Sequence, residues 1–271
     1  MSFLTFKSLR RFLLAAAWLA GSIGLALLLW QGLAWWLQHS RGIPFPAPLM
    51  VLERLGELLS GTPWLGSTIW GHLGASAQRW AIGFALGSVL GSVWGLGLGS
   101  SRLLTRLTGP WVETLQLVPG LAWIPVALLL FGVGPTATVA MITVVTVPAV
   151  ALPVAMGVRR VDPHHRAVAK MLGASRWALM TTVVLPSVLP FLLTGLRLGM
   201  GTAWRVLVAG EMVVGVGGGL GYVILQSRWN LDFEGSLAGV LVIALVGFCL
   251  ERGVFGTLER RTIARWGTHG G

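Results

Sequence analysis

Apolar runs long enough to cross a bilayer recur along this chain. A helix needs about 20 apolar residues to span the hydrocarbon core. Six such segments are predicted, over residues 12–37, 80–99, 107–131, 137–158, 187–214 and 236–250. Composition agrees: 55% of residues are hydrophobic and 11% charged, where a soluble domain carries about 25% charged residues. Backbone polar groups in lipid must be satisfied internally, so only helices and closed barrels span a membrane. The alternating segments of about 10 residues that build a barrel are absent. The expected fold is all-α: a polytopic membrane protein of about six transmembrane helices, with residues 1–271 as one transmembrane domain.

The charges orient the helices. The first run follows Lys7, Arg10 and Arg11. It is longer than the core of about 7–15 residues in a cleaved signal peptide, so a retained first helix is expected. With the N-terminus inside, thirteen Lys and Arg fall on inner segments and three (Arg41, Arg54 and Arg228) on outer ones. The positive-inside rule then places both termini in the cytoplasm. A net charge of +11 would otherwise point to nucleic acid. These charges flank spans, so the expected partner is the lipid bilayer and not nucleic acid. The single Cys249 lies in an apolar run and reads as a small packing residue.

Details within the runs add to this. Pro48 starts an amphipathic helix that puts Leu49, Leu52, Leu55, Leu58 and Leu59 opposite Glu53, Arg54 and Glu57. Such a helix lies in the interface or packs on the bundle. Gly83, Gly87, Gly91, Gly95 and Gly99 form a smooth strip that lets two helix backbones approach closely, within one subunit or between two. The third run holds Pro110, Pro119 and Pro125 with Glu113 and Gln116. Proline breaks helix hydrogen bonds, and broken backbone at membrane depth is tolerated only against protein or a water-filled cavity. This run is expected to line a pathway. The threonines of the fourth run, Thr143 and Thr146 among them, are of the kind that bond back to their own helix.

Charged residues inside spans are costly and default to functional candidates. Glu113, Arg197, Arg205 and Glu211 are such charges; with the polar Gln116 of the third run and Trp204, which reads as packing or gate, they are the candidate translocation-pathway residues. Two readings of the charges stand. A guanidinium fork matches sulfonate or carboxylate oxygens, so Arg197 or Arg205 would suit an anionic substrate. Alternatively the arginines pair with Glu113 or Glu211, or reach to the interface.

The largest inner loop reads VRRVDPHHRAVAKMLGASRWALMTTVVLPSVLP from Val158. Asp162-Pro163 begins a helix well, Gly173 ends it in a left-handed cap, and Ser175 can cap the next. The loop is thus a short exposed helix, an elbow and a second helix leading back into a span. The spacing of Ala169, Gly173 and Val183-x-Leu185-Pro186 resembles the cytoplasmic "EAA" loop of ABC importer permeases, and Gly173-Ala174-Ser175-Arg176-Trp177 is similar to the same pattern. One position departs from it: the triplet reads Ala167-Val168-Ala169, with Ala167 where the family has Glu. That leaves docking to helix shape and to the basic residues around Gly173.

The resemblance extends over residues 46–266. Glu113-Thr-Leu-Gln116, Leu121-Ala-Trp-Ile-Pro125, Phe131-Gly-Val-Gly134, Thr194-Gly-Leu-Arg-Leu-Gly199, Ala203-Trp204 and Glu211-Met212 look like the taurine, aliphatic sulfonate and nitrate branch. The resemblance implies a type I ABC importer (MetI-like) permease fold in an inner membrane and a second permease copy, usually forming a homodimer. It further implies two ABC ATPase subunits and an extracytoplasmic substrate-binding protein. Residues 158–186 would be the coupling loop, with Arg166, Ala167, Ala169, Lys170, Gly173, Ala174, Ser175, Arg176 and Trp177 meeting the ATPase. The implied function is ATP-driven import of a small solute such as a sulfonate, taurine or nitrate by alternating access.

If ATP drives this protein, it must act through another polypeptide. This chain has no G-x-x-x-x-G-K-[ST] phosphate loop, and the glycines from Gly215 to Gly221 lack the strand–helix context of a nucleotide fingerprint. They read as an outer loop or re-entrant turn. ATP and Mg would be bound by the partner, with no cofactor in this chain. No catalytic constellation or metal motif is present among the five His, so an enzyme is not expected. An ATP-independent secondary transporter or channel is the alternative. It would call for paired repeats and leave the ordered loop without a purpose.

Overall fold

Glycines, prolines and capping residues decide where the helices start, bend and touch. The computed structural model describes residues 2–255 apart from 216, with side chains described for 14 and 16–253 apart from 216. The side chains of Lys7, Arg10 and Arg11, and the residues Arg260, Arg261 and Arg265, which entered the orientation count, lie outside the described residues. Every regular element among the described residues is a helix.

In chain order these are α1 (Ser2–Arg41), α2 (Pro48–Leu59), α3 (Ile69–Ser100), α4 (Arg102–Leu117), α5 (Ile124–Phe131), α6 (Pro135–Arg159), α7 (Pro163–Met171), α8 (Arg176–Leu179), α9 (Leu185–Val214), α10 (Leu220–Trp229) and α11 (Phe233–Cys249). Five helical segments are long and apolar enough to cross a membrane. The bent pair α4–α5 makes a sixth if the two count as one span.

In that pair the run over 107–131 is broken, as its prolines predict. Helix α4 stops at Leu117, a 3₁₀ turn covers Gly120–Trp123, and α5 leaves at 107°. Pro119 has no N–H to continue the ladder, and Pro125 sits in the first turn of α5, where its missing donor is harmless. Helix α3 also begins eleven residues before the expected residue 80, capped by Thr68, whose Oγ1 accepts from Gly71 N at 3.2 Å.

Helix α6 is the axis of the bundle, with α3 on one side and α9 on the other. The glycine strip is the α3–α6 contact, within one subunit. Gly83, Gly87, Gly91 and Gly95 are buried. A Cβ at Gly91 would lie 2.6 Å from Val147 O, and one at Gly95 2.5 Å from Ala151 O. On the other side, Gly195 and Gly199 of α9 bring that helix onto Val150 of α6. Thr143 Oγ1 and Thr146 Oγ1 donate back to Val139 O (2.9 Å) and Ile142 O (2.7 Å), so they close their own helix.

The amphipathic helix α2 packs on the bundle, by a different face from the one the leucine spacing predicts. Val51 and Leu58 are wholly buried and Leu55 partly so, whereas Leu49, Leu52 and Leu59 are exposed. Arg54 lies on the inner side and bonds Asp232 Oδ2 at 3.0 Å, tying α2 to the start of α11. The pattern was ambiguous because hydrophobic residues occupy both flanks of the charged positions. Helix α1 stands beside the bundle. Its Trp30 Nε1 donates to Pro46 O at 3.1 Å, and Ala34 is its buried contact among the described side chains. Cys249 is exposed and not packed as expected: in the last turn of α11 it is Gly247 that meets Trp204 of α9.

Candidate functional site

The loop forms as its punctuation dictates. Asp162 caps α7, its Oδ1 accepting from His164 N at 2.8 Å, and Ser175 caps α8, its Oγ accepting from Ala178 N at 3.1 Å. Between them Gly173 takes a left-handed φ of +77°. Gly173 N donates to Lys170 O (3.0 Å) and Ala174 N to Ala169 O (2.9 Å), closing the C-terminal cap. Past the elbow, α8 runs through a π-helical turn, Met180–Val184, directly into α9.

The root of the loop is fixed and its tip is bare. Val161 is buried with Val158, Val184 and Val188, and Arg160 lies over the Phe191 ring at 5.6 Å. By contrast α7 buries no residue. Met171, Leu172 and Trp177 are 86%, 82% and 77% exposed, flanked by exposed Lys170 and Arg176. Such a contiguous apolar tip marks an interaction surface. Ala167 lies exposed on α7. Of the other expected coupling residues, Arg166 turns inward, with Nη2 donating to Val158 O at 2.5 Å.

The charged residues of the spans separate into two places. The first is a cluster around the wholly buried Glu211, at the end of the bundle opposite the loop. Glu211 of α9 accepts from Arg79 Nη1 at 2.6 Å, from Ser76 Oγ at 2.8 Å and from Gly221 N at 3.0 Å. Arg79 Nη1 also donates to Gly218 O at 2.8 Å, and Ser76 Oγ accepts from Leu220 N at 2.9 Å. Gly219 N donates to His72 Nδ1 at 3.2 Å, which leaves Nε2–H to donate to Trp64 O at 2.7 Å. Glu211 thus caps α10 and anchors the glycine turn between α9 and α10. Its partner is Arg79, rather than Arg197 or Arg205.

The second place is a groove of about 310 Å³ between α9 and the end of α11, lined by Arg197, Trp204, Arg205, Gly247 and Glu251. Arg197 Nη2 bonds Glu251 Oε1 at 3.3 Å, and both are about half exposed or more. Arg205 Nη2 reaches Thr202 Oγ1 at 3.4 Å. Trp204 is mostly buried: its Nε1 donates to Ile243 O at 3.3 Å and its ring meets Trp80 edge-on at 6.5 Å. The structure therefore joins Arg197, Trp204 and Arg205 in one place. Glu113 and Gln116 are not among its lining residues. They sit exposed on α4, eleven residues or more from its start, about 16 Å along the helix.

His72, Ser76 and Arg79 were not singled out by sequence reasoning, which began the second span after them. A signal was present: spacing of four and three residues puts all three on one face of a helix.

The chain matches the family described as binding-protein-dependent transport system inner membrane component over residues 87–262. It is 33% identical over 241 residues to the taurine transport system permease protein TauC of Escherichia coli, covering 89% of this chain and 86% of that one. It is 30% identical over 238 residues to the nitrate import permease protein NrtB of Synechocystis sp., covering 86% and 84%. A chain of the MetNI methionine ABC transporter, in inward-facing conformations, superposes with a TM-score of 0.57 at 18% identity, over 78% of this chain and 98% of that one. At that identity the likeness concerns the fold.

Proposed function

Because the chain belongs to the family of binding-protein-dependent transport system inner membrane components, we propose that it translocates a small anionic solute, driven by an ATPase docked on the α7 loop. The chain is a multi-pass membrane permease component and not itself an enzyme. Two copies of the chain pair, each carries one ATPase subunit, and a binding protein delivers solute at the opposite face. The loop and both termini lie in the cytoplasm, as the charge bias requires.

One observation carries the reading: the loop is continuous with the helix that bears the charged groove. Helix α7 hinges at Gly173 onto α8, which passes without a break into α9. Arg197 and Arg205 lie about 18 and 30 Å along α9 from its loop end. Displacement of α7 by a closing ATPase pair therefore moves the groove-bearing helix. A guanidinium in that groove fits sulfonate, nitrate or carboxylate oxygens. The relatives named for taurine and nitrate import support that class. Arg205 is the proposed anion contact, with Arg197 and Glu251 beside it. The exposed Glu113 and Gln116 cannot face lipid at low cost, which supports a second subunit or an aqueous path against α4.

The test is uptake by proteoliposomes holding the permease, its ATPase and its binding protein. Taurine, an alkyl sulfonate, nitrate and bicarbonate are offered with ATP inside. Saturable, ATP-dependent uptake of one of these anionic-group solutes is expected. Uptake that ignores ATP and follows an ion gradient would favour a secondary transporter instead.

A further inference from the structure

A second polar cavity lies at the loop end of the bundle, apart from the charged groove on α9. It has a volume of about 440 Å³ and is framed by the end of α3, the start of α4, the end of α6 and α7. Arg102, Arg106, Arg159 and Arg166 line it. Among the described residues none of the four is within ion-pair distance of a carboxylate. Arg159 Nη2 reaches only Thr105 Oγ1, at 3.5 Å. Arg166 donates one Nη2 bond to Val158 O, while its Nε is buried with no acceptor.

Four guanidiniums from three helices would ordinarily repel one another, so their convergence calls for a counter-charge. The start of α4 adds to the field. Ser101 caps that sixteen-residue helix, and its first-turn N–H groups carry the positive end of the helix dipole. Planar guanidiniums favour oxyanions, which take paired N–H donors. The cavity lies where α3 and α6 end, at the level expected of a membrane interface. Leu103 and Leu107, interleaved with Arg102 and Arg106 on α4, are exposed, as suits a position beside acyl chains. Basic pockets between spanning helices at this level bind anionic headgroups.

We propose that this cavity binds a phosphate group, presented by an anionic phospholipid or by free phosphate, and that the bound group clamps α7 to the α3–α4 junction. Arg166 is the clamp's moving side, because it sits on α7, whereas Arg102 and Arg106 belong to the fixed body. The site is distinct from the groove on α9 and shares no residue with it. Its location at the inner leaflet rests on the orientation proposed above. Phosphate binding itself does not.

The assembled permease–ATPase complex, stripped of lipid in detergent, is titrated with dioleoylphosphatidylglycerol, dioleoylphosphatidylcholine and sodium phosphate while thermal unfolding is followed. Phosphatidylglycerol is expected to raise the transition temperature where phosphatidylcholine does not. The R102Q/R106Q variant should bind it roughly tenfold more weakly or worse, from the loss of two charges near the headgroup. R41Q, at the far end of α1, should bind as wild type does. A shift produced by free phosphate and lost in the same variant identifies the soluble source and supports the same site. Equal responses of wild type and R102Q/R106Q to both probes would overturn the proposal. So would efficient cross-linking of Arg106→Cys to the ATPase, which would make the cavity part of the docking surface. Should the double variant not assemble, R106Q alone carries the same comparison, with a smaller loss expected.

Discussion

Replacing Arg79 with Met removes the cation that faces Glu211 and leaves the carboxylate in place. Glu211 is wholly buried and Arg79 nearly so. The substitution deletes a 2.6 Å ion pair and the bond to Gly218 O, leaving Glu211 with Ser76 Oγ and Gly221 N. An uncompensated buried charge costs about 3–5 kcal/mol. For a chain of this size each kcal/mol moves the midpoint by about 2–4 °C, so R79M should lower it by about 6–20 °C. The double variant R79M/E211L removes both charges and should recover much of the loss, since apolar replacement of a whole buried pair is often near neutral. Thermal unfolding of the four proteins in one detergent completes the cycle. Limited proteolysis should show R79M cut first in the glycine turn, at Gly217–Gly218, because that turn loses its tether. A midpoint for R79M within 1 °C of wild type, or strictly additive losses in the double variant, would refute the assigned role of this pair.

Gly95→Leu places a side chain against Ala151 O, a backbone atom that cannot step aside. A loss of at least about 1–3 kcal/mol is expected, read as a lower unfolding midpoint or lower yield of folded protein. Asp232 both caps α11 and pairs with Arg54. D232A should therefore cost about 0.5–2 kcal/mol, whereas D232N, which keeps a capping oxygen, should lose little, since partly exposed ion pairs contribute about 0–1 kcal/mol. Trp177→Ala should weaken co-purification of the ATPase by tenfold or more, as for an exposed aromatic anchor at an interface, without shifting the unfolding midpoint of the isolated permease. Arg205→Gln should raise the half-saturating solute concentration for uptake while ATPase docking is unchanged.

The parts of this fold set by local chemistry were legible in the chain. Bilayer-length apolar runs marked the spans, and Pro119 marked the break between α4 and α5. Asp162, Gly173 and Ser175 placed the loop helices, because each cap satisfies backbone groups within three or four residues. The glycine strip revealed a close helix contact. It could not say whether the partner was α6 or another subunit, since small residues permit approach without choosing a neighbour. The Glu211 network was hidden for a related reason. Ser76 and Glu211 are 135 positions apart, and no local pattern couples them. The α2 face was misread because leucines at 49, 52 and 59 satisfy the helical period as well as Val51 and Leu58 do. Burial chose between the two, and burial depends on α11.

If the α7 elbow transmits ATPase motion to α9, Gly173→Val should uncouple the two. A Cβ there meets no neighbouring atom, so the substitution acts through the backbone. A β-branched residue at φ +77° carries about 1–3 kcal/mol of strain and should straighten or re-angle the elbow. The measurement is ATP hydrolysis and solute uptake together, in proteoliposomes of the assembled transporter. G173V should lose most of its uptake per ATP hydrolysed while the permease still folds and spans. Uptake per ATP equal to wild type, with the ATPase still bound, would contradict that transmission.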